Sequence, residues 1–144
     1  MNKVTPFLWF DGQIQEAATY YTSVFPNTKV LNASPMSATL EIEGQTLILF
    51  NGGPKYKLSP SVSLYVNCET QEEVDRLWAQ LTDGGSESEC GWLKDRFGLS
   101  WQIIPSILPA LLQDPDRAKA DRALKAMLTM AKIDIAALKR AAAG

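Results

Sequence analysis

Apolar and polar residues alternate and then recur at helical spacing twice along the chain. Each series predicts a strand that runs into a helix and is followed by further strands. The predicted strands cover residues 4–10, 28–33, 37–43, 45–51, 61–68, 87–93 and 99–104. The first helix is predicted over 13–25, and the second follows a capping-box pattern formed by Thr70 and Glu73. The pattern therefore indicates two successive βαβββ modules.

The two series also match residue by residue at a constant spacing. The matched pairs are Leu8 with Leu64, Trp9 with Tyr65, Gln15 with Gln71 and Glu16 with Glu72. The strands that close the two modules match at nearly the same spacing, 44–49 against 98–103. Such self-similarity predicts a duplicated structural unit. We expect the two halves to share one cavity.

These boundaries predict a single domain over residues 1–144 with three parts. The first module covers 1–54, a turn-rich segment rich in glycine and proline follows, and the second module covers 60–105. Residues 106–144 change to helical spacing and have no counterpart in the repeat. Asp114 and Pro115 are expected to begin a helix of this extension, with Asp114 as its cap. The predicted fold class is α+β.

Composition narrows the classes of partner. The 144 residues are 46% hydrophobic and carry a formal net charge of −2, and no basic stretch is interleaved with aromatic residues, so nucleic acid is not an expected partner. No apolar segment suits a signal peptide or a membrane span, which predicts a cytoplasmic protein without a membrane partner. Cys68 and Cys90 lack ligand-like spacing and are predicted to be reduced, structural thiols.

Several segments resemble the vicinal oxygen chelate superfamily, the glyoxalase, bleomycin resistance and dioxygenase fold. The resemblance is closest to its PhnB-like branch, often labelled 3-demethylubiquinone-9 3-methyltransferase-like, and it extends into the helical tail around 127–134. Leu31 to Ser37 is shorter than is usual for that branch. The resemblance implies two modules of curled mixed sheets around a cavity. The segments that carry it are 6–12, 17–26, 49–54, 62–68 and 90–102.

In metal-using members of that superfamily, four strand positions hold a divalent ion. Those positions correspond here to Thr5, Ile48, Ser61 and Gln102. The chain contains no histidine, and one aliphatic, two hydroxyl and one amide side chain do not form the imidazole and carboxylate set that such an ion requires. We therefore predict no metal and no cofactor.

If those four positions point into the cavity, strand alternation assigns the remaining strand residues to two faces. The opposite face is then predicted to pack on helices through Leu8, Phe10, Leu47, Leu49, Val62, Leu64, Val66, Trp101 and Ile103. The cavity face would also carry Thr46, Ser100 and Ile104. Trp92 and Lys94 could either lie at its rim or only cover the sheet edge. Apolar walls with a few convergent polar groups are typical of small-molecule pockets. The predicted ligand-binding residues are Thr5, Phe7, Trp9, Ile48, Phe50, Ser61, Ser63, Tyr65, Trp92 and Gln102. The alternative is that Phe7, Trp9 and Phe50 only fill the space between the half-sheets.

Two functions remain open at this point. The first is a metal-free, homodimeric protein that binds an apolar or aromatic metabolite. The second is an enzyme of the same fold, an isomerase, dioxygenase or resistance-type transferase, whose catalytic residues are unknown. Methyl transfer from S-adenosylmethionine is disfavoured, because Gly52-Gly53 precedes a loop and Gly84-Gly85 ends a helix, whereas that cofactor usually lies over a strand-to-helix turn. The dimer is expected because an apolar stripe on the tail, Ala123, Leu124, Met127 and Leu128, needs a partner surface.

Overall fold

The computed structural model describes residues 2–144 and divides the chain into two compact units, Met1–Ser59 and Pro60–Gly144. The strands are β1 (Phe7–Phe10), β2 (Thr28–Ala33), β3 (Ser37–Ile42), β4 (Gln45–Asn51), β5 (Ser63–Cys68), β6 (Ser86–Glu87), β7 (Trp92–Lys94) and β8 (Ser100–Pro105). The helices are α1 (Ile14–Val24), α2 (Gln71–Thr82), α3 (Ile107–Leu112), α4 (Arg117–Met127) and α5 (Ile135–Ala143).

The first unit is a four-stranded mixed sheet with one helix. Its strand order is β1-β4-β3-β2, with β1 parallel to β4 and the other pairs antiparallel. Helix α1 packs on the sheet through a buried stripe that includes Ile14 and Tyr21. The sheet face that carries Leu8, Leu40 and Leu49 is buried. Period-two alternation in the strands and helical spacing in α1 therefore produce one apolar core layer.

The second unit repeats this topology. Its strand order is β5-β8-β7-β6, with β5 parallel to β8 and the remaining pairs antiparallel. Helix α2 buries Val74, Leu77, Trp78 and Leu81, and it packs mainly on β7 and β8. The predicted duplication of the βαβββ module and the α+β class are confirmed.

Local sequence signals explain several boundaries. Thr70 caps α2 by accepting a hydrogen bond from the Glu73 amide at 3.2 Å, as predicted. Glu43 and Gly44 both have positive φ, 48° and 84°, which fits the tight primed turn expected between β3 and β4. The predicted strand over 87–93 is wrong in one respect, because the segment between β6 and β7 leaves the sheet where Cys90 and Gly91 take positive φ.

The helix-facing prediction for the fifth strand is only partly correct. Val62 is exposed and lies before β5, while Leu64 and Val66 are half-buried. The physical reason is that β5 is an edge strand and α2 lies mainly over β8 and β7. Strand β1 is likewise shorter than predicted and begins at Phe7.

The C-terminal helices α3, α4 and α5 form a small core of their own at the end of β8. The buried members of this core are Ile104, Leu108, Leu111, Ala123, Ile133, Leu138 and Ala142. Asp116, not Asp114, caps α4, because its carboxylate accepts hydrogen bonds from the Ala118 and Lys119 amides. Among residues 2–144, no helix is long and apolar enough to cross a membrane.

The apolar stripe predicted on the tail does not form one surface. Ala123 is fully buried in the tail core and Met127 packs against that core. Leu124 and Leu128 remain exposed. Two of the four stripe residues, Ala123 and Met127, therefore pack within the tail core of the same chain.

Candidate functional site

An aromatic surface lies on the face of the first sheet opposite the buried leucines. It consists of Phe7, Trp9, Phe50 and Tyr56. The ring centroids of Phe7 and Phe50 are 5.2 Å apart, Trp9 lies 5.2 Å from Phe50, and Trp9 and Tyr56 meet edge to face at 5.0 Å. Phe7 and Tyr56 are each 57% exposed, whereas Trp9 and Phe50 are half-buried. The outer rings are therefore open to solvent and the inner ones support them.

Two glycines hold Trp9 in this surface. A Cβ atom at Gly52 would lie 2.1 Å from Cε2 of Trp9, so the indole ring packs directly on the Gly52 backbone. The indole Nε1 donates a hydrogen bond to the Gly53 carbonyl oxygen at 2.8 Å. The Gly52-Gly53 doublet thus has a specific packing role in addition to the turn that the sequence predicted.

A second group, the Gln102 row, crosses the sheet of the second unit. It consists of Ser63, Tyr65, Trp92 and Gln102. Gln102 on β8 pairs in register with Tyr65 on β5 and with Trp92 on β7, so the three side chains lie on one face. The Gln102 amide donates a hydrogen bond to Ser63 Oγ at 3.0 Å. The amide is therefore oriented, with its carbonyl oxygen left as an acceptor at the centre of the row.

Two titratable groups lie on β5. Partial burial of its ring, followed by the nearby Cys68, raises the pKa of Tyr65, so the phenol stays protonated at neutral pH and can donate a hydrogen bond. Burial, followed by the charge of Glu73, raises the pKa of Cys68 to about 12. Because the thiolate is the reactive form, Cys68 is not a candidate nucleophile.

The four positions that the resemblance assigns to a metal ion offer few ligand atoms in this structure. Thr5 and Ser61 lie outside the strands, and the Thr5 hydroxyl donates to the Asn2 carbonyl oxygen at 2.9 Å. Ile48 has no ligand atom, and Gln102 is hydrogen-bonded to Ser63. Over the described range 2–144, no cluster of three or more histidine, cysteine, aspartate or glutamate side chains could hold an ion. The donor set does not fit a divalent cation.

The ten residues predicted to bind ligand fall into two sets, one in each unit. In the first unit Phe7, Trp9 and Phe50 come together, Ile48 pairs in register with Phe7, and Thr5 precedes the strand. In the second unit Ser63, Tyr65, Trp92 and Gln102 come together, whereas Ser61 lies outside β5. Their role in binding stays a prediction.

The sequence pattern missed Tyr56 and misplaced Ile104. Tyr56 lies in the turn-rich segment after β4, where its ring meets Trp9 and the Lys55 ammonium lies 5.4 Å from its centroid. A lone aromatic residue among glycines, prolines and lysines was the available signal. Ile104 follows Gln102 on the same face by alternation, but the tail core covers it.

A groove of about 340 Å³ also lies in the second unit, beside the end of β8. Its lining comprises Glu69, Pro105, Ser106, Ile107, Ala110, Ile135 and Lys139. The groove contains none of the residues predicted to bind ligand.

The sequence also matches a known family over most of its length. The family model of 3-demethylubiquinone-9 3-methyltransferase aligns with residues 2–104. The chain belongs to this PhnB-like family. The match ends just before the helices of the tail, so it does not cover residues 127–134, where part of the sequence resemblance lies. No curated protein matches the sequence.

Solved structures agree with the assignment of this PhnB-like chain. The PhnB protein of Bacillus cereus is 29% identical over 73% of this chain and 100% of its own, with a TM-score of 0.67. The fosfomycin resistance protein FosX of Listeria monocytogenes, solved with manganese(II) and sulfate, is 12% identical over 69% of this chain and 86% of its own, with a TM-score of 0.52. A glyoxalase-related enzyme from Fulvimarina pelagi is 13% identical over 74% of this chain and 91% of its own, with a TM-score of 0.53. The last two show the vicinal oxygen chelate fold alone.

Proposed function

We propose that this PhnB-like chain is a metal-independent protein that binds flat, apolar small molecules. The observation that carries the proposal is the aromatic surface, on which Phe7 and Tyr56 are each 57% exposed. Large exposed rings have an energetic cost in water, and grouped aromatic rings are typical ligand-binding walls. The Gln102 row is a separate surface in the second unit, and it offers polar contacts to a ligand of the same kind.

The chemistry of the row suits a neutral or weakly polar ligand. The Gln102 carbonyl oxygen accepts a hydrogen bond, and the protonated Tyr65 phenol donates one. Neither group is a strong base or a nucleophile at neutral pH. The donor set therefore supports recognition better than it supports acid-base or covalent catalysis.

The family name by itself does not assign methyl transfer to this chain. The Gly52-Gly53 doublet, which could suggest a cofactor loop, follows β4 and leads into a turn. Both glycines are occupied in seating Trp9. We propose no step through a methyl donor.

The test uses 1-anilinonaphthalene-8-sulfonate as a flat, apolar fluorescent probe of the folded protein. We expect saturable binding to the wild type, weakened about tenfold or more by Phe7→Ala, because an exposed aromatic anchor contributes to binding more than to folding. Leu128→Ala, which removes a side chain of similar exposure on the tail, is the matched control. Gln102→Ala should weaken binding less than Phe7→Ala.

Equal affinity of the wild type and Phe7→Ala, or the absence of saturable binding by native protein, would refute the proposal. Trp9→Ala is less informative, since the indole also packs on Gly52 and bonds to Gly53. Its loss is expected to lower both affinity and stability. Elemental analysis should find no stoichiometric transition metal, and one ion per chain that is lost in Gln102→Ala would contradict the metal-independent assignment.

A further inference from the structure

We infer that the segment 130–133, between α4 and α5, positions Trp92 in the Gln102 row and so contributes to ligand affinity at that row. This inference rests on the proposed function. The segment lies outside the part of the chain that matches the family model. It forms hydrogen bonds with the loop before Trp92 and with the first residue of α2.

The tail segment holds the loop immediately before Trp92 through backbone hydrogen bonds. The Cys90 amide donates to the Met130 carbonyl oxygen and the Gly91 amide donates to the Ala131 carbonyl oxygen, each at 2.8 Å. Cys90 and Gly91 both have positive φ, 57° and 85°, a conformation that is costly for Cys90 and needs support from its surroundings. The two tail carbonyls provide this support next to Trp92.

Gln71 fixes the tail segment in turn. Its amide nitrogen donates to the Ile133 carbonyl oxygen at 3.0 Å, and its carbonyl oxygen accepts from the Ile135 amide at 2.8 Å. The Lys132 ammonium lies 2.8 Å from an Asp75 carboxylate oxygen. One side chain at the start of α2 therefore satisfies both a donor and an acceptor of the tail backbone.

Close packing leaves the loop little freedom to shift. A Cβ atom at Gly91 would lie 2.7 Å from Cδ1 of Ile104 and 3.2 Å from Cγ1 of Ile133. The Gly91 carbonyl oxygen accepts a hydrogen bond from Ile103 at 2.8 Å, so Gly91 lies between β8 and the tail. Ile104 is two residues after Gln102. A displaced tail would thus move the loop and the face that carries the row together.

The experiment compares Gln71→Ala with Asp134→Ala in the full chain. Asp134 caps α5 by accepting from the Ala137 amide at 3.0 Å, so its loss weakens the tail without removing the Gln71 contacts. Hydrogen exchange at the Cys90 and Gly91 amides and affinity for 1-anilinonaphthalene-8-sulfonate are measured for both. We expect faster exchange and about threefold to tenfold weaker binding for Gln71→Ala, and affinity within twofold of the wild type for Asp134→Ala.

The outcomes separate this inference from the proposed function. Wild-type affinity in Gln71→Ala, or an equal loss in Asp134→Ala, would overturn the positioning role while Phe7→Ala still reports on the binding surface. Should Gln71→Ala fail to fold, Lys132→Ala removes only the ion pair with Asp75 and is expected to show the same effects at smaller size. Unchanged exchange and affinity in Lys132→Ala would then overturn the inference.

Discussion

Replacing Asp95 should be among the most destabilising single changes in the second unit, although its position in a turn suggests a surface residue. The side chain is only 2% exposed. One carboxylate oxygen accepts hydrogen bonds from the Phe97 amide at 2.9 Å and the Leu99 amide at 3.1 Å. The other accepts from Nε1 of the buried Trp101 at 2.9 Å. Asp95 therefore links the turn between β7 and β8 to the core.

The magnitude follows from the donors that would lose their acceptor. Asp95→Ala leaves the Leu99 amide and the Trp101 indole buried without this partner, at about 1–3 kcal/mol each. The Phe97 amide is only partly buried and can bond to water. For the two buried donors together we expect a loss of about 2–6 kcal/mol in the free energy of unfolding. Asp95→Asn keeps the shape of the side chain but places an amide N–H donor where one carboxylate oxygen accepted a hydrogen bond. We therefore expect a loss of about 1–3 kcal/mol in the free energy of unfolding.

The assay is urea unfolding at neutral pH, with Trp101→Phe made in the wild type and in Asp95→Asn. Since the indole donor faces an amide group in Asp95→Asn in place of a carboxylate acceptor, removing the indole there should cost less than removing it from the wild type. We expect a coupling energy of about 1 kcal/mol or more. A loss below about 1 kcal/mol for Asp95→Ala, or no coupling between the two positions, would refute this account of the turn.

Three further outcomes are expected. Gly52→Ala should lower the free energy of unfolding by about 1–3 kcal/mol and shift the fluorescence of Trp9, because a methyl group would overlap the indole; unchanged stability would contradict this. Hydrogen bonding from Lys132, then from Gln71, lowers the pKa of Asp75. The ion pair between Lys132 and Asp75 therefore stabilises the fold above the ordinary aspartate pKa of about 3.9, and its contribution is lost as the pH falls below that value. Lys132→Ala should lower the free energy of unfolding by at most about 1 kcal/mol at pH 7, because the pair is exposed. This difference from the wild type should vanish near pH 2, and a difference that grows in acid would contradict the assignment. Light scattering should give a homodimer, weakened by Leu128→Lys, and a wild-type monomer of 15.9 kDa at micromolar concentration would refute it.

The sequence predicted which strand residues of the aromatic surface share one face, but not the contacts between them. Alternation placed Phe7, Trp9 and Phe50 on one face, because side chains in a strand point to opposite faces in turn. It gave no indication that Tyr56 joins them, since a residue in a turn has no periodic constraint. Nor did it indicate that Gly52 is required by the indole of Trp9, because that contact depends on the path of the chain after β4.

The same distinction separates the repeat from the tail. Matching residues in the two halves, such as Leu8 with Leu64, determined the order of strands and helices, and both sheets have the topology that the repeat implies. Local periodicity could also identify helices after residue 105. It could not show that Ala123 is buried within the tail while Leu128 is exposed, because the spacing assigns both residues to one apolar stripe.

By itself, the sequence determined the duplicated module, the α+β class, most element boundaries and the lack of histidine, which leaves no imidazole ligand for a metal ion. These properties depend on residue type and on spacing along a single strand or helix, which the chain carries directly. Tertiary structure alone decided that Asp95 bonds to Trp101 and that Gln71 bonds to the tail backbone. It also decided that the indole of Trp9 packs on Gly52 and bonds to Gly53, and that the tail holds the loop before Trp92. Each of these depends on atoms that are distant along the chain, and only the folded backbone fixes their separation.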